Sequence, residues 1–488
     1  MVEAAHVRTR IAPSPTGQAH VGTAYAALFN YAFARRAGGQ FLIRIEDTDR
    51  DRFVAGAEEE IYATLKWLGL SWDEGPDVGG ACGPYRQSER LAVYREHVDR
   101  LVSSGAAYPC FCTSERLESM RMAQRQTGRP PGYDGTCRGL NPADAARRVG
   151  AKEPHVVRLR VPKEEATVFQ DLLRGEIRIE NHTIDDQVLL KTDGFPTYHL
   201  AVVVDDRLMR ITHILRGEEW ISSVPKHVLL YRVFGWVVPV MCHLPLLRNA
   251  DRSKVSKRKN PTSLAWYRDR GYLPEAMVNF LGLMGYSMSD GRERFSLEEF
   301  VASFDPTRIC LGGPVFDLAK LGWLNGSVLR DLPQEVLARR LREAGQVPAG
   351  MTDALLAGVL PIVRERIQTL PEFAPMTEFL VSRPKPDAAA LIPKKRDAAG
   401  TAAVLRALRE AYGMLDAGRW TPDALAEASA RVEVASGWKK GDLYMVARLA
   451  VTGKPVTPPI LESMVLLGRD ETLARLERAV ATLLPPTR

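Results

Sequence analysis

Val7-Arg8-Thr9-Arg10-Ile11-Ala12-Pro13-Ser14-Pro15-Thr16-Gly17, with His20-Val21-Gly22-Thr23 just after it, is the stretch that decides the fold. Val7 to Ala12 reads as a strand that runs into the loop Pro13 to Gly17. A helical stretch rich in Ala, Leu and aromatic residues follows from Val21 to Arg36, and Gly38-Gly39 ends it as a C-terminal cap does. Phe41 to Ile45 reads as the next strand, closed by the acidic turn Glu46-Asp47-Thr48-Asp49, and Ala57 to Leu68 as the next helix. Strand, helix, strand, helix in this order implies a parallel α/β unit.

Outward from that unit the pattern changes at about Tyr94. A cysteine-bearing stretch, the Gly/Pro-rich turn Gly128 to Gly135 and short strand-like runs such as Val156 to Val161 read as an insertion reaching to about Lys191. The α/β pattern returns at Tyr198 to Val204, an apolar run ending in Asp205-Asp206. It is expected to be a buried strand with its functional end exposed. Beyond Leu324 the periodicity is helical: Thr401 to Leu415, Pro422 to Arg431, Leu443 to Leu449 and Glu471 to Leu484. Pro384 and Pro386 suggest a linker between two helical parts.

A chain of 488 residues is too long for one hydrophobic core, and implies two to four domains. It is 45% hydrophobic and 26% charged, as ordinary globular proteins are. No run of 18 apolar residues offers a membrane span. Met1 to Arg10 is short and polar, without the apolar core of a signal peptide, so the expected location is the cytoplasm. Six cysteines in so long a chain make no disulfide framework and are expected to stay reduced. The net charge of +7 is compatible with nucleic acid but does not demand it.

Two motifs carry chemistry. His20-Val21-Gly22-Thr23 stands where a strand passes into a helix. Backbone N–H groups at a helix start favour an anion, a Gly lets a nucleotide approach the backbone, and a His can donate to phosphate oxygens as charge builds on them. Alone, these four residues read better as a helix cap with a surface histidine. Lys254-Val255-Ser256-Lys257-Arg258, with Lys259 after it, sets several cations on a loop. Lys serves phosphate as a point charge and Arg adds a fork of donors, which suits a triphosphate and its leaving pyrophosphate. A solvated basic loop is the alternative.

Together the two motifs resemble the class I aminoacyl-tRNA synthetases, which carry a His-x-Gly-His signature after the first strand and a Lys-Met-Ser-Lys-Ser loop after the last. The resemblance narrows with Arg10-Ile11-Ala12-Pro13-Ser14-Pro15-Thr16-Gly17, Arg44-Ile45-Glu46-Asp47-Thr48-Asp49 and Tyr85-Arg86-Gln87-Ser88-Glu89-Arg90. Pro196-Thr197-Tyr198-His199-Leu200 and Arg216-Gly217-Glu218-Glu219-Trp220 follow, in the order of bacterial glutamyl-tRNA synthetases. It runs from Arg8 to about Asn325, and more loosely to the C-terminus.

That resemblance implies a Rossmann-like parallel sheet in two halves, residues 1–93 and 192–245, interrupted by an acceptor-end-binding domain at 94–191. A stem-contact domain with the Lys-Val-Ser-Lys-Arg loop would cover 246–325. All-α anticodon-binding domains would cover 326–385 and 386–488. Arg10 would pair with the side-chain carboxylate of glutamate, with Ala12 and Ser14 lining the same pocket. Glu46 would hold the α-amino group, and Tyr198, Arg216 and Trp220 would complete the amino-acid site. His20, Gly22 and Thr23, with Lys254, Ser256, Lys257 and Arg258, would bind ATP and stabilise the transition state. Val202 stands where some relatives carry Asn, and no ligand contact is expected of it.

The implied activity is ATP- and Mg²⁺-dependent activation of L-glutamate and its transfer to the terminal 2′-hydroxyl of tRNA(Glu). The enzyme is expected to be a monomer without membrane contact. Arg366, within Arg364-Glu365-Arg366-Ile367-Gln368-Thr369-Leu370, aligns with a residue that reads the third anticodon base in relatives that reject tRNA(Gln). A form that also charges tRNA(Gln), and a catalytically dead RNA-binding relative, are the alternatives. A glutaminyl enzyme is disfavoured because its family typically ends in β-barrels. The short paralogue that modifies aspartate tRNA lacks the C-terminal half. Cys110, Cys112 and Cys137 match part of a Cys-x-Cys…Cys-x-His zinc pattern, but Gly139 holds the fourth position. Structural zinc takes four protein ligands, so no tightly bound zinc is expected.

Overall fold

The computed structural model describes residues 6–128, 130–255, 261–385, 387–394 and 396–484. It divides into two compact units. One holds the chain up to Tyr267 together with Met277–Leu318, and the other holds Arg268–Ala276 with the chain from Ala319 onward.

The first unit opens as the sequence pattern indicates. Strand β1 (Arg8–Ile11) leads through the Pro13–Gly17 loop into helix α1 (Val21–Arg36), and β2 (Gln40–Ile43) returns parallel to β1. The turn between α1 and β2 needs its two glycines for different reasons. Gly38 has φ +64°, where a side chain strains the backbone, and a Cβ on Gly39 would lie 2.1 Å from the Val7 carbonyl oxygen. Helix α2 (Ala57–Trp67) then buries Ile61 and Leu65, and α3 (Leu91–Ser103) buries Tyr94, Val98 and Leu101.

The inserted stretch begins with β3 (Ala107–Cys110), α4 (Ser114–Gln126) and α5 (Pro142–Gly150). Next come β4 (Val156–Leu159), the antiparallel hairpin β5 (Ala166–Asp171) and β6 (Gly175–Glu180), and β7 (Val188–Leu190). Strands β3, β4 and β7 form a small antiparallel sheet of their own.

Helix α6 (Tyr198–Leu208) corrects the expected strand over Tyr198–Val204. Leu200 to Asp206 are all buried, so the run shows no helical alternation of polar and apolar residues. A short continuous apolar run cannot distinguish a buried strand from a buried helix. Asp205 and Asp206 are also not exposed: their relative accessibilities are 0% and 1%. Strand β8 (His213–Gly217), helix α7 (Val224–Val233) and strand β9 (Val240–Leu244) complete this part. β8 and β9 are parallel, β5 joins β9 in parallel at Asp171, and Thr212 just before β8 donates its N–H to the Arg8 carbonyl at the start of β1. Ile11 and Ile43 end one parallel pair, and Gly217 and Leu244 end another. The loops after them meet where open α/β sheets bind ligands.

The second unit is helical. One core, around Leu337, Leu341, Leu356, Val359 and Leu360, joins helices Gln334–Glu343 and Asp353–Val363. Another, around Leu405, Leu408, Tyr412, Leu425, Val446 and Leu476, joins helices Ala398–Gly413, Pro422–Ser436, Lys440–Thr452 and Arg469–Leu483. Among the described residues no helix is long and apolar enough to cross a membrane.

Candidate active site

The loops after β1, β2, β8 and β9 enclose a cavity of about 370 Å³. Arg10, Ala12, His20, Gly22, Thr23, Glu46, Tyr198, Arg216, Trp220 and Lys254 all line it. Ser14 is exposed and is not among the lining side chains. Ser256, Lys257 and Arg258 lie outside the described residues. Val202 is buried within α6, packed into the core beside Ala201 and Val203.

His20 caps α1. Its Nδ1 accepts the Gly22 N–H at 2.9 Å, so in the neutral ring the proton sits on Nε2 and can be donated. The chain following the lysine-rich loop pairs back onto this cap: Val21 N–H donates to the Thr262 carbonyl and Leu264 N–H to that of Ala19. This pairing brings Lys254 to the same cavity as His20. Lys254 Nζ lies 3.3 Å from Glu219 Oε1, an exposed pair that holds the loop start without burying charge.

Beneath the cavity lies a buried charged network. Arg10 gives two hydrogen bonds to Asp206, Arg44 reaches Asp206 at 2.6 Å and Glu46 at 3.1 Å, and Arg90 reaches Asp205 at 2.7 Å. Gln87 and Tyr94 donate to the other Asp205 oxygen. Three guanidinium groups thus face three carboxylates, and the network balances. Burial pushes the Glu46 carboxyl above its ordinary range, opposed chiefly by Arg44, while Arg10 and Arg44 hold Asp206 below it against its own burial.

Arg216 differs. It is 7% exposed, at the end of β8, and its hydrogen-bond partners are all neutral. Nε donates to His243 Nε2 at 3.2 Å, one terminal nitrogen to Tyr198 Oη at 2.9 Å, and the other to His227 Nδ1 at 3.4 Å. Burial and the Arg216 charge press the His227 and His243 imidazoles below their ordinary range, which keeps both uncharged. His199, in contact with His227 at 3.1 Å, is lowered to about 3 by burial. Trp220 packs on Tyr198 with ring centroids 4.5 Å apart and closes the cavity's aromatic wall. A mostly buried cation with neutral neighbours, opening onto a cavity, is a seat for a carboxylate. His227 and His243 carried no sequence signal, because their partners are far away along the chain.

A second cluster lies at the end of β3. The sulfurs of Cys110, Cys112 and Cys137 all fall within 4.8 Å of one another. The Tyr133 hydroxyl sits among them, 3.3 Å from Cys110 Sγ and 3.5 Å from Cys112 Sγ, and accepts the Cys137 N–H. Three thiols that could hold a metal ion thus converge, with a phenol oxygen among them. Gly139 supplies no side chain, as its sequence requires.

Comparisons with known proteins agree with this geometry. Residues 6–323 match the family described as tRNA synthetases class I (E and Q), catalytic domain, and residues 335–480 match an anticodon binding domain. A glutamate–tRNA ligase of Acidothermus cellulolyticus is 54% identical, over 97% of this chain and 95% of its own. One from Thermus thermophilus is 50% identical, over 97% of this chain and all of its own. The crystal structure of a glutamate tRNA ligase from Elizabethkingia meningosepticum, in complex with its amino acid, superposes with a TM-score of 0.86 at 32% identity, covering 98% of this chain and 99% of that one. The chain belongs to the class I tRNA synthetases of the glutamate and glutamine branch.

Proposed function

We propose that this chain is a glutamate–tRNA ligase that activates L-glutamate with ATP and transfers it to tRNA(Glu). The carrying observation is one cavity lined by His20, Lys254 and the neutrally partnered Arg216. In the first step the glutamate α-carboxylate attacks the α-phosphorus of ATP in line. The phosphoanhydride bond breaks, and pyrophosphate leaves with its Mg²⁺, which enters as part of the substrate. The protein contributes position and charge rather than a covalent nucleophile.

Arg216 takes the side-chain carboxylate, and Arg10 assists through the terminal nitrogen that Asp206 does not use. Glu46 takes the α-ammonium, whose charge favours the ionised carboxylate despite burial. Ala12, Tyr198 and Trp220 shape the pocket walls, and Ser14 stands two residues along the same loop from Ala12. Gly22 and Thr23, at the start of α1, admit the nucleotide. His20 Nε2–H, Lys254 and the loop cations Lys257 and Arg258 stabilise the phosphates, with Ser256 between them. In the second step the terminal 2′-hydroxyl attacks the mixed anhydride, forming the ester and releasing AMP. Residues 94–191 grip the acceptor end, 246–325 follow the stem, and 326–385 with 386–488 read the anticodon, where unstacked bases expose their edges.

At the cysteine cluster, the expectation of no zinc rested on Gly139 leaving the fourth position empty. Tyr133 changes that ground. Cys110, Cys112, Cys137 and Tyr133 would hold a structural zinc ion, which ties the end of β3 to the loop before α5. ATP–pyrophosphate exchange with and without tRNA, with charging of glutamate against glutamine, tests the reading. Exchange supported by glutamine, or none with any amino acid, would overturn it.

A further inference from the structure

We propose that Asp171 and His243 are positioning residues for Arg216, setting the tautomer that lets this guanidinium present its remaining N–H groups to the substrate carboxylate. The inference rests on the glutamate reading of the cavity.

A guanidinium has donors only. Arg216 Nε–H points at His243 Nε2, so that nitrogen must bear a lone pair, and the imidazole proton must be on Nδ1. Nδ1 lies 2.6 Å from Asp171 Oδ2. The same carboxylate oxygen accepts the His243 backbone N–H, and the other accepts the N–H groups of Leu173 and Arg174. Four donors converge on Asp171, which is 2% exposed, and His243 is fully buried. An acceptor-only group locked by three backbone donors can take nothing but a proton-bearing Nδ1. Asp171 therefore selects the tautomer, and the tautomer fixes Arg216. A ring flipped to the other tautomer, or protonated on both nitrogens, would point an N–H at a buried cation and displace it.

The pair is built into the fold by two distant segments. Asp171 ends β5 at the tip of the inserted hairpin, and His243 lies on β9, two residues along from Met241, where the two strands pair. Arg174, on the same hairpin turn, bonds the His243 carbonyl and reaches Glu218 at 2.7 Å, so the turn grips the strand end that carries the imidazole. Tyr198 and His227, the other acceptors on Arg216, bracket the guanidinium from α6 and α7. Arg216 is thereby held at three donors, which leaves one N–H on each terminal nitrogen for a ligand.

Steady-state tRNA charging and imidazole ¹⁵N spectra of the full-length protein test this. In Asp171→Asn the amide must turn its NH₂ either on the backbone donors or on His243 Nδ1, and both loosen the tautomer. The KM for glutamate should rise about tenfold or more, as for a lost hydrogen bond to a charged group, with the KM for ATP and kcat nearly unchanged. His243→Gln restores an acceptor for Arg216 and should keep the glutamate KM within about threefold, whereas His243→Leu should match Asp171→Asn. In wild type, the ¹⁵N signal that vanishes in His243→Gln should show a protonated Nδ1 and a bare Nε2. A protonated Nε2, an ATP KM that rises as far as the glutamate KM, or equal losses in His243→Gln and His243→Leu would overturn the proposal. Should Asp171→Asn fail to fold, the glutamine–leucine comparison and the tautomer decide it alone. Wild-type protein that charges no glutamate would overturn the cavity's reading, while the ¹⁵N result would still report on the Asp171–His243 pair.

Discussion

Arg10 and Asp206 meet through two hydrogen bonds of 3.0 and 3.1 Å across 196 residues of sequence, both side chains nearly inaccessible to water. The family resemblance marks Arg10 as the reader of the substrate carboxylate, but two of its five donors are engaged by Asp206. Among the described residues, the hydrogen-bond partners of Arg216 include no carboxylate. The two arginines should therefore separate in mutation. Arg10→Leu leaves Asp206 buried with Arg44 as its remaining cation, and should cost about 3–5 kcal/mol of stability, read by urea denaturation. Arg216→Leu should cost less stability yet remove the preference for glutamate over glutamine in kcat/KM, since the carboxylate loses its unbalanced cation. The opposite pattern would exchange their roles.

Catalysis by the lysine-rich loop gives a sharper number. Lys254 lies at the cavity edge, held by Glu219, and Lys257 follows three residues later, outside the described residues. Lys257→Ala should slow single-turnover adenylation by the loss of one charge-stabilising donor, about 2.7–4 kcal/mol in the barrier. An unchanged rate would remove Lys257 from the mechanism.

The legible parts of this protein were those whose signal is local. The α1 boundaries, the glycine turn after it and the strand–loop–helix around His20 follow from residues within one or two turns of each other. Helix α6 was illegible because burial on every side erases the polar face that periodicity needs. The charged network was illegible for another reason: Asp205 and Asp206 acquire meaning only from Arg10, Arg44 and Arg90, brought near by the sheet. Tyr133 lies four residues before Cys137, close enough to have been noticed, but the expected pattern looked for its fourth ligand two residues after that cysteine.

The neutral histidines around Arg216 make stability fall in acid. An unfolded imidazole takes its proton near pH 6.5, whereas His199 in the fold takes it only at about 3 and His227 lower still than its ordinary value. Between those limits the unfolded state binds more protons, so the folded state loses ground as pH falls. The slope is at most about 1.4 kcal/mol per pH unit for each such histidine. Asp206 and Asp171, both held below the ordinary carboxylate range, add to the loss below about pH 4. Thermal midpoints should thus drop from pH 7 to pH 5, and His199→Gln should flatten that drop. A pH-independent midpoint over this range would show that these rings take their protons in the fold as readily as in the unfolded chain.

Metal content is decided by direct assay. With Tyr133 at the cysteine cluster, purified protein dialysed against a mild chelator should retain about one zinc per chain. Tyr133→Phe keeps the ring but deletes the donor, and should release zinc to a colorimetric chelator faster than wild type. Metal-free wild-type protein would restore the reading in which Gly139 leaves the site vestigial, with the three thiols held by the phenol alone.

Arg366 concerns which tRNA is charged. Helix Asp353–Val363 ends just before it, and Arg366 lies in the following turn, its N–H bonded to the Val363 carbonyl. There it is exposed, and it is one of the charges that press the Arg448 guanidinium downward, after that group's own burial. An exposed guanidinium offers a rigid plane of donors that can pair with an acceptor-rich base edge and stack on its neighbour. Wild-type protein should charge tRNA(Glu) far better than tRNA(Gln). Arg366→Gln should narrow that gap while leaving the glutamate KM unchanged, because the cavity is not touched. Equal charging of both tRNAs by wild type would make the enzyme non-discriminating, and an unaltered ratio in Arg366→Gln would move the discriminating contact to another residue.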